Sequence, residues 1–71
     1  MKTLYDVQQL LKRFGLIIYM GKRLYDIEVM QIELKRLYEQ ELVAREEYLL
    51  AQLILRRERK IEIEREENKH G

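Results

Sequence analysis

Lys12, Arg13, Lys22 and Arg23 stand on either side of a short apolar stretch, with Tyr5, Phe14, Tyr19 and Tyr25 interleaved among them. Ammonium and guanidinium groups neutralise phosphates, and aromatic faces stack on unpaired bases. The pattern predicts a surface for single-stranded RNA or DNA. The four cations would contact phosphates, and Tyr5, Tyr19 or Tyr25 would serve as a stacking platform. No helix carries an evident set of base-reading side chains, which argues against duplex DNA. The same residues also have a plainer reading. Lys12 and Arg13 complement a helix end, Phe14 continues a core stripe, and tyrosines in small domains often sit at the edge of the core.

Other chemistry has few groups to use. The chain contains no serine and no cysteine; Thr3 is its sole aliphatic hydroxyl, and its single histidine, His70, is next to last. Covalent and acid–base catalysis need a nucleophile and a base held together. The expectation is therefore a non-enzymatic protein with no cofactor, no metal and no small-molecule substrate. Glu67 and His70 have the Glu-x-x-His spacing of di-iron bundles, but those sites need two such motifs and further inward carboxylates. Glu46 and Glu47 are neighbours on a helix and diverge. Glycines at 15, 21 and 71 cannot form a phosphate cradle.

The elements that must position these residues are helical. Thr3 and Asp6 form a Thr-x-x-Asp start, close to a capping box. Val7, Leu10, Leu11 and Phe14 then recur on one helix face, and Gly15 stands at the usual stop position. Leu16 to Met20, bracketed by Gly15 and Gly21, has no second strand to pair with and reads as a buried connector. A second helix is predicted from about Leu24 to Gln40. Ile27, Met30, Leu34, Leu37 and Tyr38 form its main face, and a nearly opposite stripe of Tyr25, Val29 and Ile32 is expected to lie under the connector. Leu42-Val43-Ala44 is a joint. Arg45-Glu46-Glu47 opens a third helix, whose core face holds Tyr48, Ala51 and Leu55 with Leu50 and Ile54 beside it. Beyond Arg56 only Ile61 and Ile63 interrupt the charge, so fraying is expected from about residue 60.

The predicted fold is an all-α three-helix bundle over residues 1–60, with a short apolar connector between the first two helices and a charged, frayed extension over 61–71. Seventy-one residues suffice for one domain. Hydrophobic residues at 46% exclude a disordered chain, and charged residues at 38% argue against a membrane protein. The longest apolar run, Leu16 to Met20, cannot span a bilayer. Asp6 falls where a signal peptide would need its apolar core. A cytoplasmic location is expected. The net charge is only +1, but residues 2–25 hold five basic groups against Asp6 alone, an excess of +4.

Leu49 and Leu53 point away from the predicted core face, between Glu46, Arg56 and Lys60. Exposed apolar patches with polar rims mark interfaces, so a protein partner or a homo-oligomer is the alternative reading.

Thr3-Leu4-Tyr5-Asp6-Val7-Gln8-Gln9-Leu10-Leu11, then Phe14-Gly15, Ile17-Ile18-Tyr19 and Gly21, resemble the YqgQ-like small proteins of Gram-positive bacteria. The likeness continues through Ile27-Glu28, Met30, Glu33-Leu34 and Leu37-Tyr38, and covers roughly residues 3–58. The resemblance implies a three-helix bundle. It brings no established activity, catalytic residue or cofactor, and the function suggested for the family is binding of single-stranded nucleic acid.

Overall fold

The computed structural model describes residues 1–69. Three helices follow in order: α1 (Leu4–Lys12), α2 (Arg23–Glu39) and α3 (Arg45–Lys69), with no strand among the described residues. The architecture is the predicted all-α three-helix bundle, and α3 sets its long dimension of 43 Å. No helix among the described residues is long and apolar enough to cross a membrane.

The predicted capping box starts α1. The Asp6 N–H donates to Thr3 Oγ1 at 3.3 Å, and the Thr3 N–H donates to the Asp6 carboxylate at 3.0 Å. The Lys2 N–H donates to the same carboxylate oxygen at 2.7 Å. These backbone donors, Lys2 foremost and then Thr3, hold the Asp6 carboxyl below its usual range. A carboxylate so lowered stabilises the fold at neutral pH, and its contribution is lost as pH falls through the folded-state value. The helix stops at Gly15, which takes φ +80°. The Leu16 N–H reaches back to the Leu11 carbonyl at 3.1 Å and the Gly15 N–H to that of Lys12 at 2.9 Å, the paired bonds of a left-handed helix end.

The packing of α2 against α3 is antiparallel. Arg23 meets Glu58 and Glu62, Glu28 meets Arg59, the Gln52 side chain donates to the Gln31 carbonyl, and Tyr38 stacks on Tyr48, so partners descend one helix as they climb the other. Ile27, Met30 and Leu34 of α2 are fully buried with Ala51 and Leu55 of α3, and Val7, Leu10 and Leu11 of α1 complete the core. Burying such aliphatic side chains contributes about 1.5–3 kcal/mol each.

The connector must cover distance. Arg13, just beyond α1, pairs with Glu47 near the start of α3, whereas Arg23 pairs with Glu58 and Glu62. Eleven to fifteen helical residues separate those levels, ~17–23 Å of helix. Residues 16–20, between the turns at Gly15 and Gly21, therefore run extended along the bundle, and extended chain alternates its side chains. Leu16 and Ile18 pack on the core, while Ile17, Tyr19 and Met20 face outward. The expectation of a buried connector holds for only two of its five residues. The connector also does not cover the second stripe of α2, since Tyr25 and Ile32 remain half exposed.

Two further expectations are corrected. The third helix does not fray near residue 60 but continues to Lys69. The sparse apolar residues give little sign of it, yet Ile61 and Ile63 are half-buried and ion pairs accompany them. Glu58, Glu62 and Glu66 share the inner face of α3 and meet Arg23 and Lys22 at the start of α2. Leu50, expected beside the core face, is half exposed, whereas Ile54 is buried.

Between α2 and α3, the Glu41 N–H donates to the Tyr38 carbonyl and the Leu42 N–H to that of Leu37, each at 2.9 Å, repeating the helix end seen at Gly15. Here Glu41 occupies the left-handed position at φ 61°. A residue with a Cβ loses roughly 1–2 kcal/mol there, and glycine's extra freedom in the unfolded chain offsets part of the gain. Glu41→Gly should raise stability by up to about 1 kcal/mol, read as a higher urea midpoint at unchanged slope. A lower midpoint would contradict this account of the turn.

Candidate nucleic-acid interface

The capping box and the Gly15 stop orient α1 so that Val7, Leu10 and Leu11 face inward. Positions 5, 8, 9 and 12 then share the outward side, since residues three and four apart align along a helix. Tyr5, Gln8, Gln9 and Lys12 are all exposed. Against this side runs the extended connector. Between the two lies a groove of about 230 Å³, with Gln8, Gln9 and Lys12 as its polar wall and Leu16, Ile17 and Met30 among its apolar lining.

The four candidate cations are not equivalent. Lys12 has no ion-pair partner among the described residues. Arg13 lies 3.4 Å from the Glu47 carboxylate. Lys22 Nζ is 2.6 Å from Glu66, and Arg23 reaches Glu62 at 3.1 Å and Glu58 at 3.5 Å. The hydrogen bond to Glu66 raises the Lys22 pKa, with the neighbouring negative charge adding to it against partial desolvation. The +4 excess of the amino-terminal third is thus largely answered by acids of α3.

The candidate aromatics divide as well. Tyr19 is 83% exposed, Tyr5 64% and Tyr25 50%. Lys22 Nζ sits 5.0 Å from the centre of the Tyr25 ring and occupies one of its faces. Tyr5 and Tyr19 carry no such cover. Phe14, between the two halves of the candidate surface, is only marginally exposed. Tyr38 and Tyr48 stack at 4.2 Å with rings 6° apart and are half-buried, a packing pair. Leu49 and Leu53 stand half exposed on the opposite face of α3, away from the groove.

Gln8 and Gln9 carry no candidate role in the sequence reading. Their signal is local: Gln8 stands one helical turn after Tyr5 and one before Lys12 on an outward face. A primary amide offers both a donor and an acceptor, the complement that nucleobase edges present. His70 lies outside the described residues, so the Glu67–His70 spacing has no geometry to report.

A three-helix bundle with an aromatic, polar and partly cationic side of its first helix defines a small helical domain without a transmembrane helix among its described residues. Its sequence relations agree in scale with that architecture. The YqgQ-like family model matches residues 1–61, and the chain belongs to that family. It is 50% identical over 58 residues to the uncharacterized protein YqgQ of Bacillus subtilis (strain 168), an alignment covering 82% of each chain.

The exposure order sets a chemical expectation. Under limited tetranitromethane treatment, mass spectrometry should find nitration first at Tyr19 and Tyr5, then at Tyr25, and last at Tyr38 and Tyr48. Early modification of the stacked pair would contradict the placement of these rings.

Proposed function

We infer that the chain is a non-catalytic domain that binds single-stranded nucleic acid in the groove between α1 and the connector. The observation that carries the reading is Lys12, an unpaired cation on the wall of an apolar-lined groove beside two exposed amides. An unpaired base fits such a groove on its apolar lining, with Gln8 and Gln9 toward its edge and Lys12 toward the adjoining phosphate. Tyr5 and Tyr19 extend the platform, because aromatic faces stack on any base. A duplex keeps its bases stacked inside and has none to offer the groove.

Arg13, Lys22 and Arg23 act in this reading as a reserve. Exposed ion pairs are weak and screened by salt, so a phosphate competes with their carboxylate partners but gains less than it would at a free cation. Binding is accordingly weak, and Lys12 contributes most of the charge. The YqgQ family membership supports the reading only in scale and fold.

Fluorescence anisotropy with labelled oligouridylate, oligodeoxythymidylate and a duplex of equal length, across a salt series, is the test. Single strands should bind more tightly than the duplex. Log affinity should fall with log salt by roughly 0.7 for each phosphate neutralised. Lys12→Glu should weaken binding more than Lys22→Glu with Arg23→Glu, and all three changes should act alike on every base sequence. Tyr5→Ala or Tyr19→Ala should cost ~1–3 kcal/mol. Glu66→Gln should tighten binding by freeing Lys22. Absence of salt-sensitive binding to either single strand at low salt would remove the reading.

A role in protein contacts has its own support, three half-exposed leucines on α3, and does not exclude this one.

A further inference from the structure

On α3, Ala51, Ile54 and Leu55 face the core and Glu58 and Glu62 continue that side toward α2. Successive residues turn by about 100° on a helix. Glu46, Leu49, Leu50, Leu53, Arg57, Lys60 and Glu64 consequently fall within a sector of roughly 100° on the side turned away from the core face. The three leucines are each about half exposed. They form one patch over little more than a turn, unlike the single scattered apolar residues that any surface carries. Glu46, Arg57 and Lys60, which flank it, have no ion-pair partner among the described residues, although seven other ion pairs form along the bundle.

Across the leucine patch the order is acid, three leucines, then two bases, with the exposed Glu64 one turn beyond Lys60. A helix with that order is its own complement when turned end for end. Glu46 of one copy meets Arg57 and Lys60 of the other at both ends, and the leucines meet in the middle. A parallel pairing would set like charges side by side. We propose that this face of α3 is a self-complementary interface on which a second copy of the chain packs antiparallel about a two-fold axis near Leu53. Such an isologous contact needs no third component and closes at two copies. Three leucines and two pairs of charges make a contact at the small end of protein interfaces, below about 1,200 Å² in total, so the dimer dissociates readily. Neither the groove beside α1 nor any candidate nucleic-acid residue lies on this face. The proposal therefore stands apart from the nucleic-acid reading and can fail without it.

Sedimentation equilibrium of the full chain over a wide concentration range tests it. The wild type should pass from monomer to dimer and no further. Leu53→Asp should remain monomeric with an unchanged helical circular dichroism spectrum. Glu46→Lys alone, and Arg57→Glu with Lys60→Glu, should each raise the dimer dissociation constant by tenfold or more through like-charge contact. An equal mixture of those two charge variants should dimerise at least as well as the wild type, because opposite charges then meet at both ends. The rescue shows that these charges face one another, and the weakening of each charge variant alone marks the contact as antiparallel, since a parallel pairing already sets like charges together and would not change. A wild type monomeric at every concentration, a species larger than a dimer, or a mixture that fails to associate would each overturn the proposal.

Discussion

The antiparallel contact between α2 and α3 is the constraint on which the rest of the molecule depends. Its apolar part joins Ile27, Met30 and Leu34 to Ala51, Ile54 and Leu55. A methyl side chain at the fully buried position 51 leaves room for the larger residues of α2. Its polar part continues where the apolar residues stop, through Glu28 to Arg59 and through Arg23 and Lys22 to Glu58, Glu62 and Glu66. With the two long helices fixed in register, α1 has one remaining apolar groove to fill, and its short row of Leu4, Val7, Leu10 and Leu11 fills it. The connector then has a set span to cross. That span holds it extended and turns Ile17 and Tyr19 outward.

Charge does two jobs in this chain. In α3 it adds to the partial burial of Ile61 and Ile63 where the outer segment meets the start of α2. The same pairs, with Arg13–Glu47 at the other end of α3, occupy three of the four cations that would otherwise form one basic surface. What is left is a smaller and more defined feature, Lys12 with two amides beside an apolar groove. Under the proposed reading, this feature would take one base and its phosphate rather than act as a broad electrostatic patch. Affinity should accordingly owe much to stacking and shape and less to net charge, which at +1 is small.

Much of the fold is legible in the residues. The Thr3–Asp6 cap, the Gly15 stop, the main face of α2 and the joint at Leu42-Val43-Ala44 follow from local rules that act within a few residues. The length of α3 is not legible, because its outer half is held by partners almost forty residues away and shows no hydrophobic period. The connector was half legible: its hydrophobicity is plain, but which side chains turn inward depends on the distance between two ion pairs in the folded bundle. The candidate site follows the same division. Tyr5, Tyr19 and Lys12 are recognisable by type. The neutralisation of Arg13, Lys22 and Arg23, and the convergence of Gln8 and Gln9 on the connector, exist only once the helices have packed.

The central claim is that a single strand occupies the groove between α1 and the connector. Backbone amide shifts of the isotope-labelled protein, followed by nuclear magnetic resonance during titration with a short oligouridylate, locate the contact residue by residue. The account predicts that the largest shifts gather at Tyr5, Gln8, Gln9, Lys12 and Ile17 to Tyr19, with smaller ones at Lys22 and Arg23. Saturable shifts confined to residues away from α1 and the connector would contradict it.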